Sequence, residues 1–86
     1  MKVRKLPVTV EAHQYRAGQF PELQAWAKSV SVKLPFMRES ANRDYMELDT
    51  LEGRMTVSDG DWVIQGVKGE FYGCKPDVFE KTYEVL

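Results

Sequence analysis

The sequence predicts a small α+β domain, in which a mostly antiparallel curved sheet or partial barrel of about five to seven strands packs against one main helix. Three observations lead to this prediction. Apolar and polar residues alternate along several short segments, one segment has helical periodicity, and five of the six glycines follow Thr50. Because glycine adopts backbone conformations that tight turns need, the second half of the chain is expected to form hairpins.

Length and charge limit the kinds of protein that this can be. Eighty-six residues suit a single domain, residues 1–86. The net charge of −1 supplies no cationic surplus for nucleic acid, and one cysteine cannot form an intramolecular disulfide. No apolar run approaches the roughly 18 residues of a membrane span, and no secretory signal is visible. We therefore predict a cytoplasmic protein without membrane contact and without a cofactor.

The first two elements follow from periodicity. Residues Val8–Tyr15 alternate between apolar and polar positions, which predicts a half-buried strand. The main helix is predicted over Phe20–Ser29, where Pro21 suits the first turn. Four residues at helical spacing form its apolar stripe: Leu23, Trp26, Ala27 and Val30.

The next segment gives a weaker signal. Alternation over Val30–Phe36 predicts a second strand that ends at Pro35. The polar stretch Met37–Arg43 then predicts a mobile loop, which is where a binding surface is most easily built.

A hairpin is predicted over Tyr45–Val57. Glu52-Gly53 suits a two-residue turn, because glycine accepts a positive φ. This turn pairs Leu48 with Val57 and gives the hairpin one apolar face and one polar face. The apolar face consists of Met46, Leu48, Met55 and Val57.

The last third continues with short elements. Asp59-Gly60 predicts a turn, and Trp62-Val63-Ile64 predicts an interior strand because it is apolar on both faces. Gly66 and Gly69 bracket the turn before a returning strand that begins at Phe71. Three further segments complete the chain: a strand end near Cys74-Lys75, a helix at about 76–82 that starts at Pro76, and a closing strand over Tyr83–Leu86 beside Val8–Ala12.

Few residues suggest chemistry. Asp61, between Gly60 and Trp62, is expected to fix its turn by accepting backbone N–H groups. His13 is the only histidine, and we interpret it as a surface or partly packed residue, not as a metal ligand. Cys74 is expected to be a small buried thiol and not a nucleophile, since no sequence feature lowers its pKa.

Aromatic residues in the last third suggest one candidate binding site. Rings with interleaved lysine can stack on a base or a nucleotide. The candidate ligand-binding residues are Trp62, Phe71, Tyr72, Lys75 and Tyr83.

The same part of the chain carries a family resemblance. The motifs are TLEG at 50–53, MTV at 55–57, GDWVI at 60–64, GV at 66–67, GEFY at 69–72, CKPD at 74–77, FE at 79–80 and TYE at 82–84, with RKLPVTVEA at 4–12 and QY at 14–15. Together they resemble a family of small proteins from tailed bacteriophages and prophages. The family often has proline where this chain has Asp59 and Gly73. The resemblance implies an accessory role in the cytoplasm of an infected or lysogenic bacterium, and it implies no catalytic residue.

Three functions follow from these observations. The favoured prediction is a non-enzymatic accessory module that binds a host or phage protein, or itself as a homodimer, because short chains with open sheet edges associate readily. The first alternative is a small-ligand binder, such as one that sequesters a nucleotide-like signal of host defence. The second is a small hydrolase that uses Cys74 or buried carboxylates. An exposed apolar patch, a polar cleft or a Cys74–His13 pair would distinguish them.

Overall fold

The computed structural model describes residues 1–86 and contains six strands and two helices. Neither helix is long and apolar enough to cross a membrane. In chain order the elements are β1 (Glu11–Gln14), α1 (Phe20–Val30), β2 (Met37–Glu39), β3 (Tyr45–Thr50), β4 (Gly53–Ser58), β5 (Trp62–Gln65), β6 (Phe71–Cys74) and α2 (Pro76–Thr82).

The strands form two antiparallel sheets of three strands each. One has the order β1-β5-β6 and the other the order β2-β3-β4, and neither closes into a barrel. The predicted α+β class, the main helix and the short C-terminal helix are confirmed. The strands are divided between two sheets, which the alternation of single segments does not reveal.

Helix α1 packs its predicted stripe against the space between the sheets. Leu23 and Ala27 are buried, and the ring of Trp26 meets that of Phe71 edge to face at 5.9 Å. The apolar stripe thus faces inward, as expected for a helix with one apolar side. The residues that join these helix positions in the core are Tyr15, Met46, Leu48, Val57, Val63 and Phe71.

Strand β6 brings the two sheets into contact at Gly73. A Cβ atom at this position would lie 2.9 Å from Met55 Cε and 3.1 Å from Val57 Cγ2. The backbone N–H of Gly73 also donates to Met55 Sδ at 3.2 Å. A Cβ atom here would displace the flexible end of Met55 and crowd Val57, so glycine favours the close approach of the sheets.

The β3–β4 turn differs from the prediction. Leu51 and Glu52 form the turn, and Thr50 pairs with Gly53. The Thr50 hydroxyl closes the loop, because it donates to Gly53 O at 2.7 Å and accepts the Glu52 N–H at 3.2 Å. Gly53 has a φ of 112° and leads out of the turn into β4.

The hairpin register is shifted by two residues from the prediction. Leu48 pairs with Met55, so the predicted pairing of Leu48 with Val57 is wrong. A shift of two positions keeps every side chain on its predicted face, since strand side chains alternate. The apolar face points into the core as predicted, with Met46, Leu48 and Val57 buried and Met55 half-buried.

Two predicted strands at the chain ends are corrected. The strand expected over Val8–Tyr15 is paired only over Glu11–Gln14, because its partner β5 ends at Gln65, opposite Glu11. The strand expected over Tyr83–Leu86 is wrong, since these residues form no strand.

The segment after α1 is also corrected. The strand expected over Val30–Phe36 is wrong, because the helix continues through Val30 and the Ser31 hydroxyl donates to Lys33 O in a local turn at 2.7 Å. The predicted loop Met37–Arg43 contains strand β2, which finds a partner in β3. The turn that remains begins at Ser40, whose O accepts the Arg43 N–H.

Replacing Gly53 with valine tests the turn. A β-branched residue resists the positive φ of this position, so Gly53→Val should lower the free energy of unfolding by about 1–3 kcal/mol. Urea titration measures the change. Thr56→Val, on the exposed face of β4, is the control and should leave stability nearly unchanged. Equal stability of both variants would mean that the strained position lies elsewhere.

Candidate functional site

Three of the predicted ligand-binding residues meet on the face of the β1-β5-β6 sheet that α2 covers. Trp62 stacks on Phe79 with ring centroids 4.0 Å apart, and Phe79 stacks on Tyr83 at 5.3 Å. The hydroxyls of Tyr72 and Tyr83 are hydrogen-bonded at 3.0 Å. We call Trp62, Tyr72, Phe79 and Tyr83 the aromatic cluster. Its fourth member, Phe79, was not among the predicted residues.

The other two predicted residues lie elsewhere. Phe71 precedes Tyr72 on β6, so its side chain points to the opposite face, where it is 3% exposed beside Trp26. Lys75 donates through Nζ to Asp61 Oδ2 at 2.9 Å. The five residues therefore do not line one surface.

The aromatic cluster mainly attaches α2 to the sheet. Its rings stack on one another, and such pairs contribute about 0.5–1.5 kcal/mol each beyond the area that they bury. Burial, and then the hydrogen bond with Tyr83, raise the pKa of the Tyr72 hydroxyl. A phenol with a raised pKa stays protonated near neutral pH and serves as a hydrogen-bonding group, not as a base.

Asp61 is the one buried charged residue, and its role is the predicted one. Its carboxylate accepts the Ser58 N–H at 2.9 Å, across the turn that links β4 to β5. The same oxygen accepts Lys75 Nζ. Because Lys75 is 62% exposed, the ion pair is screened by water and adds little, whereas the bond to the turn is shielded.

No nucleophile–base pair forms around Cys74. His13 pairs with Val63, which pairs with Gly73, whereas Cys74 follows Gly73 and points to the other face. The Cys74 thiol donates weakly to Lys75 O at 3.6 Å, and His13 Nδ1 contacts Gln14 O. Burial, and then the nearby carboxylates of Asp61 and Asp77, raise the pKa of the thiol. Groups of three or more metal-ligating side chains are also absent.

A surface groove lies where three loops meet at one end of the fold. Two neighbouring cavities, of about 210 and 570 Å³, share four lining residues: Lys33, Leu51, Gly69 and Glu70. The loop after α1 forms one wall, the β3–β4 turn another and the β5–β6 turn the third. We call this surface the loop-end groove.

Exposed apolar side chains surround the loop-end groove. Val32 and Leu51 line it, and Val67 belongs to the turn whose next residues also line it. All three side chains are largely exposed to solvent. Val32 and Leu51 thus place exposed apolar side chains from two loops on one groove, with Val67 in an adjoining turn, and protein partners often cover such side chains.

The charged side chains of the loop-end groove differ in whether they already have a bonding partner within the chain. Asp49 forms an ion pair with Arg54, and Glu70 accepts the Lys68 N–H at 3.0 Å. Lys33 and Lys68 form no ion pair. The groove thus offers two free ammonium groups beside apolar walls.

Sequence reasoning did not find this groove. Its apolar residues are separated by many positions, and each falls within a loop whose place in the fold depends on the sheets. The available signal was Val67 in the predicted turn between Gly66 and Gly69 and Leu51 beside the predicted Glu52-Gly53 turn, whereas Val32 was predicted on the apolar side of a strand. Apolar residues in turns are worth recording, because a turn seldom buries them.

Relatives give no further guide to these surfaces. Comparison with protein-family models, with curated proteins and with solved structures finds no match to this chain. The phage resemblance therefore depends on the sequence motifs alone. The role of each surface has to be inferred from its own contacts.

Two substitutions at Asp61 separate turn geometry from charge. Asparagine keeps an oxygen that can accept the Ser58 N–H, so Asp61→Asn should cost less stability than Asp61→Ala by about 1 kcal/mol. Asp61→Ala removes the acceptor and should lower the free energy of unfolding by about 1–3 kcal/mol. Thermal and urea unfolding measure both. Equal losses of stability in the two variants would show that the charge of Asp61, and not its hydrogen bond with the Ser58 N–H, stabilises the fold.

The reactivity of Cys74 tests the absence of an activated thiol. Because the folded protein raises the thiol pKa, alkylation by iodoacetamide should be slower than in the urea-unfolded chain at the same pH, and its rate should reach half-maximum at a higher pH. Mass spectrometry of the labelled protein measures the rate. A folded protein that reacts fastest near neutral pH would contradict the assignment.

Proposed function

We propose that this chain is a non-enzymatic protein-interaction module, made by a tailed phage or prophage in the cytoplasm of its bacterial host. The phage origin is supported by the motifs between Thr50 and Glu84 and by those near the N-terminus. The interaction role is supported by one main observation: the exposed apolar side chains of Val32 and Leu51 line the loop-end groove, and exposed Val67 lies in an adjoining turn.

The chemistry of the groove defines its partner. Apolar walls suit an apolar side chain, and the free ammonium groups of Lys33 and Lys68 suit carboxylates. The carboxylates of Asp49 and Glu70 are already bonded within the chain and compete less for incoming cations. We therefore infer that the partner presents an acidic segment with one or two apolar anchors.

Catalysis is a weaker interpretation. The residues that a small hydrolase would need are divided between two sheet faces, because His13 and Cys74 point in opposite directions. Asp61 is buried alone and is occupied by its turn and by Lys75. His13, Cys74 and Asp61 thus do not form the acid–base pair that a hydrolase would need.

A small anionic ligand is the second candidate. The larger cavity, at about 570 Å³, falls within the range of small-molecule sites, and two lysines lie at its edge. The groove offers a nucleotide base little ring surface for stacking. Phe71 lines the smaller cavity but is only 3% exposed, Trp62 and Tyr83 stack on Phe79, and Tyr72 is hydrogen-bonded to Tyr83. The protein partner is therefore favoured.

Affinity capture with matched variants tests the groove. Leu51→Glu and the double variant Lys33→Glu with Lys68→Glu should each reduce recovery of the bound bacterial protein at least about tenfold, since a buried anchor or ion pair contributes more than 1 kcal/mol. Thr56→Glu and Lys81→Glu, both exposed and outside the groove, are the controls. Quantitative mass spectrometry compares the five preparations.

The same experiment distinguishes the alternatives. Recovery that is unchanged in the groove variants would overturn the groove as the interaction surface. A small anion retained by the wild-type protein and lost from the lysine variants, as seen by native mass spectrometry, would favour the ligand binder. Circular dichroism of each variant confirms that the fold is intact, which is expected because all the substituted side chains are exposed.

A further inference from the structure

Strand β1 has an open edge with a defined pattern. It pairs only with β5 and stands at the end of its sheet. The Tyr15 N–H donates to Asp61 O, and Tyr15 O accepts the Gly60 N–H, so the backbone polar groups of Tyr15 face the β5 side. Because successive strand residues direct these groups to opposite edges, those of Ala12 and Gln14 face outward.

The residues before β1 continue its pattern without a partner. The ladder ends at Glu11 and Gln65, and the chain after Gln65 turns back because the Gly66 N–H donates to Glu70 O. Residues 1–10 contain no regular structure. Within this arm, Val8 and Val10 keep the alternation of β1, and Val8 is 56% exposed.

The arm is basic and the opposite end of β1 is acidic. Lys2, Arg4 and Lys5 are three of the twelve lysines and arginines, whereas every one of the thirteen aspartates and glutamates lies after residue 10. The arm extends beyond the Glu11 end of β1. An antiparallel neighbour would therefore carry its own arm toward the Tyr15 end.

Three carboxylates surround that Tyr15 end. Burial, and then the hydrogen bond to Glu39 at 3.1 Å, raise the pKa of Tyr15 to about 12, and Asp44 and Asp59 add to this rise. None of the three carboxylates belongs to an ion pair. The Tyr15 end of the strand thus carries carboxylates that form no ion pair, although Glu39 and Asp59 accept hydrogen bonds there and the cation of Arg16 lies beside them.

We propose that two copies of this chain associate through β1 and its preceding arm. Residues 8–14 of one copy pair antiparallel with residues 8–14 of the other about a two-fold axis, which joins two three-stranded sheets into one of six strands. Even-numbered residues lie opposite even-numbered residues, because these are the ones with outward backbone groups. This surface is separate from the loop-end groove and does not depend on the proposed function.

This arrangement aligns apolar side chains and brings the basic arm toward the acidic end, and its cost is that Glu11 lies opposite Glu11 of the other copy at the two-fold axis. Val8, Val10 and Ala12 form one apolar row on the face of the sheet that carries Ile64. In an extended arm, Lys5 of each copy lies on the same face as the Tyr15 side chain of the other, near its partner Glu39, whereas Arg4 points to the opposite face. Pro7 is tolerated, because an odd-numbered residue has its missing N–H on the side away from the neighbour.

Two proline variants, one at an even-numbered and one at an odd-numbered residue, test which backbone N–H groups form the proposed pairing. Val10→Pro removes an outward N–H from each copy and should weaken the dimer at least about tenfold, since two hydrogen bonds are lost. Thr9→Pro removes an N–H that faces the other side and should have a much smaller effect. Both residues precede the intramolecular ladder, so neither variant should unfold the domain. Sedimentation over a wide range of protein concentration measures the dissociation constants.

Amide exchange supplies an independent readout. On raising the protein concentration, the amides of Val10 and Ala12 should gain protection, while those of Thr9 and Glu11 should not. Added salt should weaken the dimer, because the arm and the acidic end attract each other. A monomer at every concentration would overturn the proposal. So would a dimer that both proline variants weaken equally, since another surface would then hold it.

Discussion

The turn from Ser58 to Asp61 is the constraint on which the rest of the structure depends. It connects β4 of one sheet to β5 of the other, and the buried Asp61 carboxylate fixes it by accepting the Ser58 N–H. The same turn binds the end of β1 through Tyr15 and the start of α2 through Lys75. An acceptor that is shielded from water holds its bond firmly, because leaving the donor unpaired would be costly. One side chain therefore fixes the turn at which the chain passes from one sheet to the other.

Periodicity predicted the elements whose partners are close in the sequence. Helix α1 and the faces of the β3–β4 hairpin follow from local spacing alone. The strand Met37–Glu39 was not predicted, because its sequence is polar and it forms a strand by pairing with β3. Val30 belongs to the helical stripe and also begins an apparent alternation, so the two patterns competed at that position. The opposite directions of Phe71 and Tyr72 follow from strand geometry, whereas the groove needed the full arrangement of loops.

Three surfaces of the molecule differ in the residues that they expose. The face under α2 is filled by rings that contact each other, which leaves the aromatic cluster little free surface for a ligand. The loop-end groove combines exposed apolar side chains with unpaired lysines, and the β1 edge combines outward backbone groups with a basic arm. Two acidic residues outside these surfaces have structural contacts: Asp61 fixes its turn by accepting the Ser58 N–H, and Glu47 forms an ion pair with Arg38 between two strands.

The place of β1 has a consequence for how the chain folds. The β2-β3-β4 sheet and the β5–β6 hairpin join neighbours along the sequence, whereas β1 must find Trp62–Gln65, about fifty residues away. Closing a long loop costs entropy before its contacts form, so local hairpins assemble first. Of the six strands, β1 is synthesised first and yet waits longest for a partner. During synthesis its hydrogen-bonding edge toward β5 stays open until Trp62–Gln65 has emerged.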